Sequence, residues 1–262
     1  MIVFSSGSGG ISVNFGGRYK RCVNYFIGKG TGAFSKEECS MPVIDLLFPL
    51  LGHEIPADHG YCLYSAVSRE LPFVHREGAQ GVTFGIHPIQ GFFVGKRKIL
   101  LNRRSKLSIR LLSEHIPDVL PLAGKKLDLD GHSISLGIPS PFLLSQASCL
   151  YSRLVIIKGF MESKTFLEAA RRQCLEIGVD PAKISLVPHW TKRSFEGAVS
   201  DGGEVAFTKR TLRIHDKEIV GFAVKAEGLL PEESLLLQEA GLGGRRKMGC
   251  GVFIPSILSH DA

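Results

Sequence analysis

Glu239-Ala240-Gly241-Leu242-Gly243-Gly244-Arg245-Arg246-Lys247-Met248-Gly249-Cys250-Gly251 lies between a helical pattern and a short apolar run, Val252-Phe253-Ile254-Pro255. Five glycines and three consecutive cations fall within eleven of these residues. Glycine lets the backbone take positive φ and come close to another chain. Amides exposed by such a backbone, with Arg and Lys beside them, make a cradle for phosphate. The order of elements excludes the usual mononucleotide loops, in which a strand comes first and a helix N-terminus meets the phosphate. Here the helix comes first, a strand follows, and no Gly-Lys-Ser/Thr occurs. Gly241, Gly243, Gly244, Arg245, Arg246, Lys247, Gly249 and Gly251 therefore read as contacts to a polyanion that follows the loop. A glycine turn with solvated charges is the plainer alternative.

Outward from the loop, residues 231–240 read as a helix, with Pro231 tolerated in its first turn. Before it, residues 211–215 and 219–224 form a hairpin through Asp216-Lys217, and a polar loop covers 192–203. Residues 184–187 begin a strand. Residues 163–177 predict a helix with Phe166, Leu167, Ala170 and Cys174 on one face, ended by Gly178. Residues 153–158 are a strand. The first half has the same order: a strand over 42–50, a helix from Tyr61 to Leu71 closed by Pro72, and a turn at 73–78. A strand at 82–88, strand-like segments at 98–101 and 107–111, a short helix from Ser113 to Leu120 and a strand at 132–136 follow. Two β-α-β-β-α-β units predict an α+β protein of two tandem ferredoxin-like (RRM-like) domains, 41–140 and 150–257, divided near 138–150. The repeat is architectural, because the two halves are not visibly similar in sequence.

Residues 1–40 differ. Glycine and serine fill 14 of these 40 positions without a sustained period. Met41 reads as the natural start, and the preceding segment as a flexible or non-native extension. At 262 residues and a formal charge of +7, the chain can hold two domains and favours a polyanionic partner. Lys96, Arg97, Lys98, Arg103, Arg104, Lys106 and Arg110 form a stretch without a single acid, which favours nucleic acid over a merely solvated face. The six cysteines form no CxxC pair and no zinc spacing, so they read as buried thiols of a reducing compartment. With no membrane span and no signal peptide in the pattern, the expected location is cytoplasmic.

This combination resembles the RAMP superfamily of CRISPR-associated proteins. Three strings sharpen the likeness: Asp58-His59-Gly60-Tyr61-Cys62-Leu63-Tyr64-Ser65-Ala66-Val67-Ser68, Leu122-Ala123-Gly124-Lys125-Lys126-Leu127-Asp128-Leu129-Asp130-Gly131-His132, and the glycine loop itself. Together they are similar to the repeat-processing endoribonucleases of the MYXAN subtype, over about residues 42–256. The resemblance implies cutting of CRISPR repeat RNA in precursor transcripts (pre-crRNA), with other CRISPR effector subunits as further partners. A non-cleaving RAMP subunit that holds the repeat handle is the alternative. A small-molecule enzyme on the same scaffold is a third.

RNA can be cut without a metal because its own 2′-hydroxyl attacks the adjacent phosphate. Such a site needs a base, an acid for the leaving 5′-oxygen and cations for the pentavalent charge. The scattered acids disfavour a two-metal site, so no metal and no cofactor is expected. Two histidines remain as catalytic candidates. The resemblance points to His75, in a Phe-Val-His turn after the first helix, and His59 begins that helix. Ser68 stands where the resemblance places a tyrosine in some relatives; Tyr61 or Tyr64 is the available substitute, with a core aromatic as the plainer role for either. Arg76 or a cation among Lys96, Arg97 and Lys98 would take the place of the assisting lysine.

Overall fold

The computed structural model describes residues 41–75, 84–189 and 206–256. The predicted extension 1–40, the polar loop 192–203 and Arg76 lie outside the described residues, as does the side chain of His75. In the first half, β1 (Val43–Leu51), β2 (Glu54–Pro56), α1 (Gly60–Glu70) and a 3₁₀ turn (Pro72–His75) are followed by β3 (Phe84–Ile86) and β4 (Phe92–Phe93). Then come β5 (Lys98–Leu100), β6 (Lys106–Leu112), α2 (Ile116–Val119), β7 (Lys126–Leu129), β8 (His132–Leu136) and β9 (Ser140–Leu143). The second half runs β10 (Cys149–Val155), α3 (Ser163–Ile177), β11 (Ile184–Leu186), β12 (Lys209–Ile214) and β13 (Lys217–Glu227). It closes with α4 (Pro231–Ala240), a 3₁₀ turn (Arg246–Met248) and β14 (Ile254–Pro255).

Two antiparallel sheets carry these halves. Their strand orders are β3-β6-β1-β8 and β11-β13-β10-β14, which is the 2-3-1-4 order of a ferredoxin-like unit repeated twice. In the first sheet β1 alternates, with Ile44, Leu46 and Phe48 turned inward against Leu107, Ile109 and Leu111 of β6. Cys62, Leu63, Ala66 and Val67 of α1 recur at helical spacing and close that core. In the second half Phe166, Ala169, Ala170 and Cys174 of α3 cover Phe222, Val224 and Ala226 of β13. Gly178, at φ 87, ends α3 in the left-handed conformation that glycine adopts without strain. Burial pushes the thiols of Cys62, Cys174 and Cys250 up to about 12, which keeps them protonated.

Several expectations change in detail. The helix expected from Ser113 to Leu120 is a 3₁₀ turn, one α-turn over Ile116–Val119 and another 3₁₀ turn. Pro117 and Pro121 account for this, since neither offers an N–H to continue the ladder. β9, which falls in the expected linker, pairs with Ile44–Leu47 of β1, so the first sheet extends to Leu143. A third sheet, β2-β5-β4, stands beside the first. None of the helices among the described residues is long and apolar enough to cross a membrane.

Arg110 departs furthest from its reading as part of a basic surface. It is fully buried. Its Nε and Nη2 each donate 2.8 Å to the two oxygens of Asp45, and Nη1 donates 2.8 Å to the carbonyls of both Gln238 and Phe253. One side chain thus ties the first sheet to the ends of α4 and the last strand.

Candidate functional site

α4 stops at Gly241, whose φ of 63 turns the chain out of the helix. The loop then folds back on the protein. The amides of Leu242, Gly243, Gly244 and Gly251 donate to Gly251 O, Gln173 Oε1, Ile156 O and Leu154 O. Those of Met248, Gly249 and Cys250 donate to Arg245 O, Arg246 O and Arg245 O. A Cβ at Gly241, Gly243 or Gly251 would overlap a backbone carbonyl oxygen, of Gly251, Ile156 or Leu242 respectively. Gly244, in contrast, has open space around it. These glycines are required by packing against β10 and within the loop, and this corrects the expected cradle of exposed amides.

The three cations diverge. Arg245 is exposed, holds a left-handed φ of 63, and lines a cavity of about 290 Å³ with Ile214, His215, Asp216, Lys217 and Ile219. Arg246 turns inward, and its Nη2 donates 2.7 Å to Glu239 O. Lys247 Nζ donates 2.6 Å to Val74 O, in the turn that His75 closes. The loop therefore presents one cation outward and uses another to hold the turn after α1.

Between the halves runs a crevice. It is narrow, about 20 Å³, and is lined by Asp58, His59, Gly60 and Pro88 from the first half and by Arg153, Leu154, Thr211, Leu212, Met248 and Gly249 from the second. Leu154, Ile156, Leu212 and Cys250 make a small apolar core beneath it. Gly60 is needed where α1 begins, because a Cβ there would press on Met248 O. Asp58 Oδ2 accepts from the Arg213 amide at 2.8 Å. Burial raises the Asp58 carboxyl, while the Arg213 amide and the charges of Arg153 and Arg97 pull it down. Desolvation and then the like charge of Arg210 lower Arg153. Arg97, Arg153, Arg210, Arg213 and Arg245 thus gather along this junction, with Asp58 in the crevice wall and Asp216 and Glu218 nearby on the β12–β13 hairpin. The strands expected at 153–158 and 211–215 take in Arg153 and Arg213 without giving either a role, and Arg210 falls outside both. The sequence signal for Arg210 and Arg213 is the run Lys209-Arg210-Thr211-Leu212-Arg213, in which three cations surround one buried residue, Leu212.

The other expected cations separate into two groups. Lys96 and Arg97 sit exposed at the tip of the β4–β5 hairpin with φ of 47 and 57, and the Ala57 amide donates 2.7 Å to Arg97 O. Arg103 and Arg104 are exposed in the turn before β6, where the Arg104 amide donates 2.7 Å to Asn102 Oδ1. Lys98 is ion-paired with Glu54, which leaves it less free for an external anion.

His59 is 2% exposed. One ring nitrogen, Nδ1, donates 2.9 Å to Pro56 O and the other, Nε2, accepts from the Ile89 amide at 2.9 Å. Burial pushes it down to about 4, so it is neutral with both nitrogens engaged. Such an imidazole has no lone pair left for a substrate. His75 is described by its backbone, at the end of the Pro72–His75 turn. His87 is buried and donates 3.1 Å from Nε2 to Asp45 Oδ1; its pKa is lowered because burial outweighs the carboxylate beside it. Tyr61 Oη lies 2.9 Å from His215 Nε2, with the rings edge-on, so this tyrosine joins α1 to the β12–β13 hairpin. Tyr64 packs on the first core, and Ser68 is buried.

A protein-family model described as Cas6 Crispr matches residues 44–257. The chain is 36% identical over 215 residues to the CRISPR-associated endonuclease Cas6 of Myxococcus xanthus strain DK1622, covering 82% of each protein. Among solved structures it is similar to the product of a Cas6-related gene from Pyrococcus furiosus, with a TM-score of 0.55, 14% identity, and coverage of 83% of this chain and 100% of that one. It is also similar to a RAMP protein described as binding different RNA substrates, with a TM-score of 0.54, 12% identity, and coverage of 80% and 98%. At such identities the structural likeness bears on the fold alone.

Proposed function

The chain belongs to the Cas6 family of CRISPR-associated proteins, and from that premise we propose that it binds CRISPR repeat RNA in precursor transcripts and cuts it into guide RNAs. In this reading the cut is metal-independent. A base takes the proton of a 2′-hydroxyl, the 2′-oxygen bonds to the adjacent phosphorus, and the bond to the 5′-oxygen breaks as that oxygen is protonated. The products are a 2′,3′-cyclic phosphate and a 5′-hydroxyl. His75 is the base, and His59 is a structural residue because its ring nitrogens are committed to Pro56 and Ile89.

The observation that carries this reading is the bond from Lys247 Nζ to Val74 O, which joins the basic loop to the turn that ends in His75. A cation held there supplies positive field to a phosphate brought to that turn. Arg245, with Arg97, Arg153, Arg210 and Arg213 along the junction, steers and holds the RNA backbone. Lys96, Arg103 and Arg104 extend the basic surface along the first half.

The test is incubation of the protein with repeat RNA in the presence and absence of EDTA, with mapping of the product ends. Equal cleavage in both, a cyclic phosphate, and loss of product when the nucleotide before the cut is 2′-deoxy are the expected results. Tight binding with no product would replace the reading with that of a non-cleaving repeat-handle subunit. Neither binding nor product would overturn it.

A further inference from the structure

The β4–β5 hairpin belongs to neither ferredoxin-like sheet, and β4 is its edge strand. Gly91 lets it start, since a Cβ there would overlap Leu100 O. Phe92 and Phe93 pair with Leu100 and Ile99 of β5, yet they are 67% and 69% exposed. Neighbouring strand residues point to opposite faces, so an uncovered aromatic ring stands on each side of the hairpin. With Val94, 52% exposed, they leave three consecutive apolar residues uncovered on one short hairpin. The turn beyond them holds Gly95, Lys96 and Arg97 at positive φ, and that turn places the two exposed cations at the tip. Phe93 and Lys96 are three residues apart around a tight turn, in which the Lys98 amide donates to Gly95 O, so at most roughly 10 Å of backbone separates ring from cation, which suits a base and a nearby phosphate of a single strand. The bond from the Ala57 amide to Arg97 O anchors the tip next to Asp58, so the hairpin adjoins the crevice between the halves.

We propose that this hairpin is a stacking site for unpaired nucleobases: bases lie on Phe92 and Phe93 while the phosphates beside them meet Lys96 and Arg97. The inference rests on the repeat-RNA reading above and adds a subsite that reads single-stranded rather than duplex RNA. Every base has a π-face, so aromatic stacking holds a single strand with little regard to sequence, and each stacked base contributes about 1–3 kcal/mol by alanine substitution. A protein partner would suit the phenylalanines as well, but it would have to tolerate two exposed cations at the rim. A polyanion is attracted by them.

The experiment uses the full chain with two probes: repeat RNA, and a 12-nucleotide oligouridylate carrying one central 2-aminopurine. Wild-type protein should quench the 2-aminopurine on binding. Phe92→Ala and Phe93→Ala should weaken binding of the oligouridylate by about 5- to 150-fold each and remove the quenching, with unchanged melting because both rings are exposed. Phe92→Trp and Phe93→Trp should restore both, and Phe92→Leu should not, which separates stacking from simple apolar contact. Wild-type affinity and quenching in both alanine variants would overturn the inference and leave the repeat-RNA reading intact. So would intact RNA binding combined with lost association to another CRISPR subunit, which would make the hairpin a protein-docking surface. Failure of the wild-type protein to bind repeat RNA would overturn the repeat-RNA reading and this inference together.

Discussion

The ring of His59 is committed to the protein's own backbone. His59 donates to Pro56 O and accepts from Ile89 N–H, and burial lowers it to about 4. Removing it leaves a buried donor and a buried acceptor unsatisfied, at about 1–3 kcal/mol for each such group. His59→Ala should therefore lower the urea midpoint clearly, and any loss of cleavage should follow the fraction unfolded. His75→Ala should do the reverse. Its melting should stay near wild type, repeat-RNA affinity should change little, and single-turnover cleavage should fall about 10²- to 10⁴-fold, the usual share of general acid–base help. Cleavage at the wild-type rate by His75→Ala would move the base elsewhere. From the sequence alone the two residues were equivalent in kind, a histidine at either end of one helix. What removes His59 from candidacy is the Ile89 amide, thirty residues away in the chain and invisible to spacing.

Elements with their own periodicity were the most legible. α3 and α4 run over the residues that the apolar stripe, Gly178 and Pro231 mark. Short elements whose pairing is decided by distant partners were not: β2, β4, β9 and the one-turn α2 carry little signal of their own, although β5 does. The glycine loop was legible as special but not in its reason. Its glycines were read as room for RNA, whereas Gly243 and Gly251 are needed for close approach to Ile156 O and Leu242 O. Gly243→Ala and Gly251→Ala should thus destabilise the fold itself by a few kcal/mol, since positive φ and overlap act together. Gly244→Ala should melt like wild type, having open space around it. Equal melting of all three variants, followed by thermal denaturation, would argue against the packing account. The charges divide in the same way. Arg245→Ala should reduce the log–log salt slope of RNA binding by about 0.7, one single-strand phosphate contact, with unchanged stability. Lys247→Met should weaken the tie to Val74 and slow cleavage more than it weakens binding.

At the scale of the whole molecule, Arg110 and Asp45 hold the two halves together. Burial by itself would raise the Asp45 carboxyl, but hydrogen bonds from Arg110 and His87 outweigh it and keep it well below the usual carboxylate range. Arg110 also satisfies carbonyls of Gln238 and Phe253, so Arg110→Met should strand a buried carboxylate and two acceptors at once. Breaking one side of a buried pair costs about 3–5 kcal/mol. The loss should appear as a lower urea midpoint for both halves, followed by far-ultraviolet circular dichroism. Acid should approach the same junction by a different route. His59 titrates at about 4 when folded and near 6.5 when unfolded, and His87 is lowered as well. Between those values the unfolded chain binds more protons, so stability is full above about pH 6.5 and declines as pH falls toward 4. For His59 the decline amounts to roughly 3 kcal/mol. Asp45 adds to it only once pH drops below the ordinary carboxylate range, because its folded value is lower still. Urea midpoints should accordingly be level between pH 7 and 8 and fall steeply between 6.5 and 4.5. His59→Gln should flatten that fall even though it begins from a lower midpoint, since the slope reports the proton and not the packing. A slope equal to wild type in His59→Gln would assign the acid sensitivity to another group, with His87 at the Asp45–Arg110 junction next in line.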